Sequence, residues 1–350
     1  LKLKDLPPRE FERLINRGTF EVEKILPRVI PLIEKVRKEK DKAVIELTEK
    51  FDGVKLSSLV VSEKEKKEAF KKVSSHFVCA IEKMCRQVED FHRHQFPSPF
   101  SFEKSSEMSS GEKSSEERYL LGEKFSPVKR AAIYVPGGKA SYPSTAVMGC
   151  VPARLAGVEE IIVCSPPSAE GKMQAEVIVA SSLAGATTLI KAGGAQAIAA
   201  CAWGTESVPE VDFIAGPGNI FVSCAKIYLA SLGKIGIDCF AGPSEVLIIA
   251  DANAPFSFVA WDMLAQAEHD EDAWCILLTD SENLAFRVWE EIEKNVNFLE
   301  RKKIASASLE KNGFILIVDK IEEAAGFANR FAPEHLEIIT ENPDKIMSLI

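Results

Sequence analysis

The stretch TTLIKAGGAQAIAACAWG, residues 187–204, passes from a short apolar run to two glycines and then to a run of small residues. That succession reads as a buried strand (187–192), a glycine turn (Ala192 to Ala197) and a core helix. It ends Val177–Gly204, the most apolar part of the chain. Lys191 interrupts that part, and its Ala, Gly and Ser content suits core packing better than a membrane span.

Working outward, the same grammar recurs. Upstream strands are predicted at AAIYV (131–135) and EIIVCS (160–165), with VDFIAG (211–216) following. A second series comprises EVLIIAD (245–251), WCILLTD (274–280), FILIVD (314–319) and LEIIT (336–340), separated by helical patterns near 255–269, 282–294 and 320–331. Continuous apolar strands alternating with helices indicate parallel sheets covered on both faces. The expected fold is therefore α/β, with two similar lobes of mainly parallel sheet flanked by helices, preceded by an N-terminal helical region. The expected boundaries are 1–125 for the helical region with a Ser-rich surface excursion, 126–238 for the first lobe and 239–350 for the second.

The start of the chain reads as helical to about residue 95. Ser62 with Glu65 forms a capping-box pattern. Phe70, Val73, Phe77, Ile81, Met84, Val88 and Phe91 recur at steps of three and four, as one packing stripe on a long helix. His76, His92 and His94 belong to that helix or its end and are not read as ligands. Residues 96–124, rich in Ser and charge, read as a surface excursion.

With 350 residues, 46% of them hydrophobic, the chain can bury a substantial core. The 43 basic against 52 acidic residues give a net charge of −9, which argues against a general nucleic-acid binder. Eight cysteines at irregular spacing, with no CxxC pair and a charged N-terminus unlike a signal peptide, point to reduced thiols and a cytoplasmic location without membrane partners. The chain opens on Leu rather than Met. The helix opening at Asn342-Pro343-Asp344 has barely two turns before Ile350, so the sequence reads as a C-terminally truncated chain.

Ligands of parallel sheets collect at strand carboxyl ends. Glycine loops are expected there at YVPGGKA (134–140), AGGAQA (192–197) and AGPGN (215–219), and AGPSE (241–245) precedes the second series. None is the strict dinucleotide fingerprint. Gln266 and His269, three apart in the helix ending LAQAEHDEDA, should share a face and suit a divalent metal if two more ligands come from elsewhere. The alternative is a helix-terminal histidine favoured by the dipole, beside an exposed Gln. Glu334-His335 after Pro333 could divide acid–base work, or form a plain surface pair. Lys139, Lys191 and Lys226 lie near glycine loops without a Schiff-base context. Cys201 and Cys239 lie nearest the expected cleft, with no neighbouring base.

Ile237-Asp238, the AGPSE segment and Gln266-Ala267-Glu268-His269 resemble the signature of the histidinol dehydrogenase family. So do YVPGGKASYPSTAVM, AGGAQAIAA, AGPGN and FAPEHLEI, from about residue 10 onward. The resemblance implies a zinc- and NAD-dependent enzyme that oxidises L-histidinol via the aldehyde to L-histidine, with a homodimer when full length. Carried to the matching positions, it implies NAD binding by Tyr134, Gln196 and Asn219. Ser244, Gln266, His269 and His335 would contact substrate, Gln266 and His269 would ligate Zn2+, and Glu334 and His335 would be catalytic. Two further zinc ligands of the family fall beyond Ile350, so this chain alone is expected to bind zinc poorly and to have little activity. Other readings are a two-lobed non-catalytic small-molecule or metal-binding protein, and a family member acting on another amino alcohol.

Overall fold

A computed structural model describes residues 1–17, 19–107, 116–137, 141–238 and 244–350. The chain forms two compact units, Lys24–Phe240 and Leu1–Glu23 with Ala241–Ile350.

In the first unit, the Ser62 hydroxyl accepts from the Glu65 N–H while the Glu65 carboxylate returns to the Ser62 N–H, opening the helix Glu63–Lys72. The expected single long helix is broken here. Val73 closes the first segment, and Ser74 caps a second, Ser75–Arg93, by accepting from the Phe77 N–H. Ser74 offers the backbone a local alternative to continuing the helix. Val73, Phe77, Ile81, Met84 and Val88 still pack on the core, whereas Phe70 and Phe91 are exposed.

The Ser-rich excursion holds an antiparallel ribbon, β1 (Phe100–Glu107) with β2 (Glu116–Glu123), in register from Phe100 opposite Glu123 to Glu107 opposite Glu116. Serine and charge masked the strand pattern. One face of the ribbon carries Phe100, Phe102, Tyr119 and Leu121, all exposed, but neither strand alone shows a sustained apolar alternation. Residues 108–115 lie outside the described residues.

Five parallel strands follow: β3 (Arg130–Tyr134), β4 (Glu160–Ser165), β5 (Thr188–Lys191), β6 (Phe213–Ala215) and β7 (Gly236–Ile237). Their spatial order is β5-β4-β3-β6-β7. Ile133, Val163 and Leu189 face the helices Pro143–Leu155 and Ala175–Ala184. On the other face Cys164 meets Cys201 of the helix Gly194–Trp203. Fully burying an aliphatic side chain such as Ile162 or Ile190 contributes about 1.5–3 kcal/mol, which is why these strands carry no polar alternation.

The second unit is built on β8 (Glu245–Ala250), β9 (Trp274–Thr279), β10 (Gly313–Ile317) and β11 (His335–Ile339), in the order β10-β9-β8-β11, all parallel. This repeats the order of β3 to β6, so the two lobes share a strand plan. Lys2 bridges to Ile317, placing the chain start on the outer edge of β10. Leu336 and Ile338 of β11 pack with the helix Ile321–Phe331, while Ile339 packs with the helix Phe256–Ala267 on the opposite face. Asn342 caps the helix Pro343–Met347 by accepting from the Lys345 N–H.

Candidate functional site

In the first sheet the strand order reverses between β3 and β6, and their carboxyl ends open a crevice there. Tyr134 ends β3, Gln196 lies in the first turn of Gly194–Trp203, and Asn219 caps the helix Ile220–Ser231. All three line one cavity of about 920 Å³, together with Arg28, Lys50, Asp52 and Phe221. Tyr134 is buried, and its hydroxyl oxygen accepts from the Gly194 N–H at 3.1 Å. Burial pushes its pKa up to about 12, so the phenol keeps its proton at working pH. Asn219 is exposed, and its side-chain oxygen accepts from the Phe221 and Val222 N–H groups at 3.1 and 3.2 Å.

Gly216, in the loop after β6, has φ +112°, and a Cβ there would sit 2.2 Å from the Tyr134 carbonyl oxygen. Only glycine permits this conformation and this approach. Asp238 accepts from the Gly216 N–H at 2.8 Å, and Lys226 donates to the Gly216 carbonyl at 3.1 Å while pairing with Asp238. Sequence reading noted Ile237-Asp238 only as part of a signature. Its role as a clamp on the turn needed the tertiary contact.

The second sheet departs from the strand-end expectation. At its carboxyl edge, Asp251 accepts from the Asn253 and Glu341 N–H groups and joins the ends of β8 and β11. The sequence-derived site residues instead stand at the amino edge. Ser244 immediately precedes β8, its carbonyl accepting from the Trp274 N–H at the start of β9. Gln266 lies in the last turn of the helix Phe256–Ala267, and Glu334 immediately precedes β11, which His335 begins. The reason is connectivity. A helix returning from the carboxyl end of β8 to the start of β9 delivers its own C-terminus to the amino edge.

Gln266 and His269 do not both lie in the helix as expected, because it ends at Ala267. The turn is nevertheless kept, since the His269 N–H donates to the Gln266 carbonyl at 3.1 Å. His269 is exposed and Gln266 half-buried. Strand alternation puts His335, Glu337 and Ile339 on the face covered by this helix. Glu337 is hydrogen-bonded to Asp262 of the helix. Four residues along the helix advance about 6 Å, and two along the strand about 6.6 Å. Stepping from Asp262 to Gln266 and from Glu337 to His335 therefore brings the amide and the imidazole to the same level. His335 Nε2 and Glu334 Oε1 lie 4.0 Å apart, both more than half exposed. Sequence reading missed Asp262 and Glu337, because a lone carboxylate in a helix and another in a strand carry no local signal.

Other early candidates fall away. Lys191 is paired with Glu65 at 2.9 Å and Lys226 with Asp238, so neither is a free amine. Cys201 is buried with its Sγ 3.3 Å from that of Cys164. Lys139 and Cys239 lie outside the described residues, as do Ala241, Gly242 and Pro243 of the AGPSE segment. Among the described residues no helix is long and apolar enough to cross a membrane.

Two lobes, each built on a parallel sheet, one with a glycine-lined cavity at its carboxyl edge and one with Ser244, Gln266, Glu334 and His335 at its amino edge, define an α/β protein. The family profile named histidinol dehydrogenase matches residues 15–350. Histidinol dehydrogenase of Methanothermobacter thermautotrophicus is 41% identical over 99% of this chain and 78% of its own length. That of Prochlorococcus marinus is 42% identical over 98% of this chain and 75% of its own. The crystal structure of histidinol dehydrogenase from Elizabethkingia anophelis superposes with a TM-score of 0.84 at 35% identity, covering 99% of this chain and 77% of that one. The chain belongs to the histidinol dehydrogenase family, a family of oxidoreductases.

Proposed function

We propose that this protein oxidises L-histidinol through the aldehyde to L-histidine, with NAD taking the two hydrides. The observation that supports this reading most directly is the gathering of Ser244, Gln266, His269, Glu334 and His335 at the amino edge of β8, β9 and β11.

The cavity of the first lobe fits NAD. The helix Gly194–Trp203 has no side-chain cap at Gly193; with the Gly194 N–H donating to Tyr134, the first-turn N–H groups of Ala195 and Gln196 are placed to serve a phosphate. Gly194 adopts φ +63°, a left-handed conformation that strains any residue with a Cβ. Gln266 and His269 are suitable zinc donors and supply half of a tetrahedral set; among the described residues there is no cluster of three or more His, Cys, Asp or Glu. NAD, when bound, accepts hydride, and zinc held in part by Gln266 and His269 would fix the substrate's imidazole and amine.

The chain's own residues do the rest. His335 takes the hydroxyl proton as hydride leaves the carbinol carbon. Glu334 then draws a proton from water as its oxygen adds to the aldehyde carbon, and His335 serves again in the second oxidation. Ser244 orients the substrate. One alcohol and one water yield a carboxylate, two reduced cofactors and three protons. The amino edge stays open enough for this, since both acid–base side chains are more than half exposed.

NADH formation from histidinol and NAD, followed by absorbance, tests the reading. About two NADH per histidinol are expected, and His335→Asn should lower kcat by about 10²–10⁴-fold. Glu334→Gln should stop near one equivalent, with aldehyde left. No NADH from histidinol, alongside turnover of another amino alcohol, would replace the substrate.

A further inference from the structure

Arg17 has a side chain only 9% exposed, and it divides its donors among three elements of the second unit. Its Nε and Nη2 donate to the two carboxylate oxygens of Glu245, the buried first residue of β8. Nη2 also donates to the Ala332 carbonyl at 3.4 Å, and Nη1 to the Leu14 carbonyl at 3.2 Å. The guanidinium carbon stands 3.5 Å from the centroid of the buried Phe331 ring. A buried ion pair adds little stability over apolar side chains of similar volume, because both charges lose their water. What a forked and stacked guanidinium gives is direction.

That direction is applied at a strained point of the backbone. Ala332, the C-cap of the helix Ile321–Phe331, has φ +48° and ψ +66°, a left-handed conformation disfavoured for a residue with a Cβ. Pro333 follows, then Glu334 and His335. His335 is paired in register with Val246, so one step earlier Glu245 is level with Glu334, and Ser244 lies one residue further back. Arg17 thus grips both stretches of backbone that carry the proposed site residues, one through Glu245 and the other through Ala332 and Phe331. The Glu334 and His335 side chains are more than half exposed, so packing does little to aim them, and their backbone must. We infer that Arg17 is a positioning residue, which holds the left-handed turn at Ala332 and through it the placement of Glu334 and His335. This rests on the proposed acid–base roles of those two residues and deepens them.

The experiment combines melting curves with steady-state rates and aldehyde release from histidinol, for wild type, Arg17→Lys, and the double variant Arg17→Met with Glu245→Leu. The double variant exchanges the ion pair for apolar side chains and should melt close to wild type. Its kcat should nevertheless fall by about 10–100-fold, with aldehyde escaping before the second oxidation and the KM for NAD within about twofold of wild type. Arg17→Lys keeps the charge but loses the fork and the stacking, and should lower kcat about 10-fold. Adding Ala332→Gly to either variant supplies a residue that takes the left-handed turn without strain, and should recover about tenfold of the lost rate. A purely structural role for the ion pair would show no such recovery. If wild type turns over histidinol while the variants keep its kcat, or lose it with no recovery from Ala332→Gly, the assignment of Arg17 is overturned and the proposed function stands. If wild type yields no NADH from histidinol, the proposed function fails and the positioning role falls with it.

Discussion

Lys226 and Asp238 form a partly buried ion pair that holds the glycine turn after β6 from both sides. Asp238 accepts a hydrogen bond from the Gly216 N–H, and Lys226 donates one to the Gly216 carbonyl. The Lys226 side chain is 3% exposed and that of Asp238 30%. Lys226→Met should therefore leave a carboxylate short of its partner and cost roughly 3 kcal/mol, at the low end for a broken buried pair because Asp238 retains some solvent. Denaturant unfolding would measure this. A loss below 0.5 kcal/mol, about that of an ordinary surface change, would show that the turn holds without the clamp.

Gly194 adopts φ +63°, and an added Cβ would meet Gln196 Oε1 at 2.7 Å. Gly194→Ala should cost about 1–3 kcal/mol through backbone strain. It should also raise the KM for NAD, because the turn that presents first-turn N–H groups must shift. Tm and initial rates at varied NAD would separate the two effects. Unchanged KM would remove this turn from the cofactor site.

Glu337 titrates above the usual carboxylate range, first because of burial, then because of the Asp262 charge and their shared hydrogen bond, with His335 opposing. The folded state thus holds this proton more tightly than the unfolded chain. Its contribution is favourable below the ordinary value of 4.5 and is lost as pH rises through the raised folded value. Glu337→Gln should consequently melt higher than wild type at neutral pH, and the difference should shrink towards pH 4. Melting curves across that range would check it, and a variant that melts lower at pH 7 would contradict the sign.

On the proposed assignment Gln266 and His269 supply two zinc donors, whereas structural or catalytic zinc takes four ligands in all. The 350-residue chain should therefore hold zinc weakly, at well under one equivalent after gel filtration, and lose it readily to a chelator. Elemental analysis would decide the matter, with tight stoichiometric zinc as the contrary result. Gln266→Ala should then remove what little remains.

The strands around Ile162, Ile190 and Leu247 were legible because a strand buried on both faces must be apolar along its length, and such runs leave few alternatives. The Ser62–Glu65 capping box and the Asn342 cap were legible for a similar reason, since both are contacts within four residues. The ribbon of β1 and β2 was not, because its apolar face of Phe100, Phe102, Tyr119 and Leu121 is assembled only when two strands rich in serine and charge pair. Nor could residue order show that Ser74 splits a continuous apolar stripe, since the stripe keeps its spacing across the break.

The chemistry of the candidate site was legible as a set of residue types, and its placement was not. Sequence alone determined the α/β class, the glycine turns and the couples Gln266–His269 and Glu334–His335, because these depend on local periodicity, backbone freedom and neighbouring positions. Tertiary structure alone decided that Tyr134, Gln196 and Asn219 share a carboxyl-edge cavity, while Ser244, Gln266 and His335 stand at the amino edge of the second sheet. Which edge a helix end reaches depends on the direction of the crossover and on strand order, and those are fixed by packing between segments far apart in the chain.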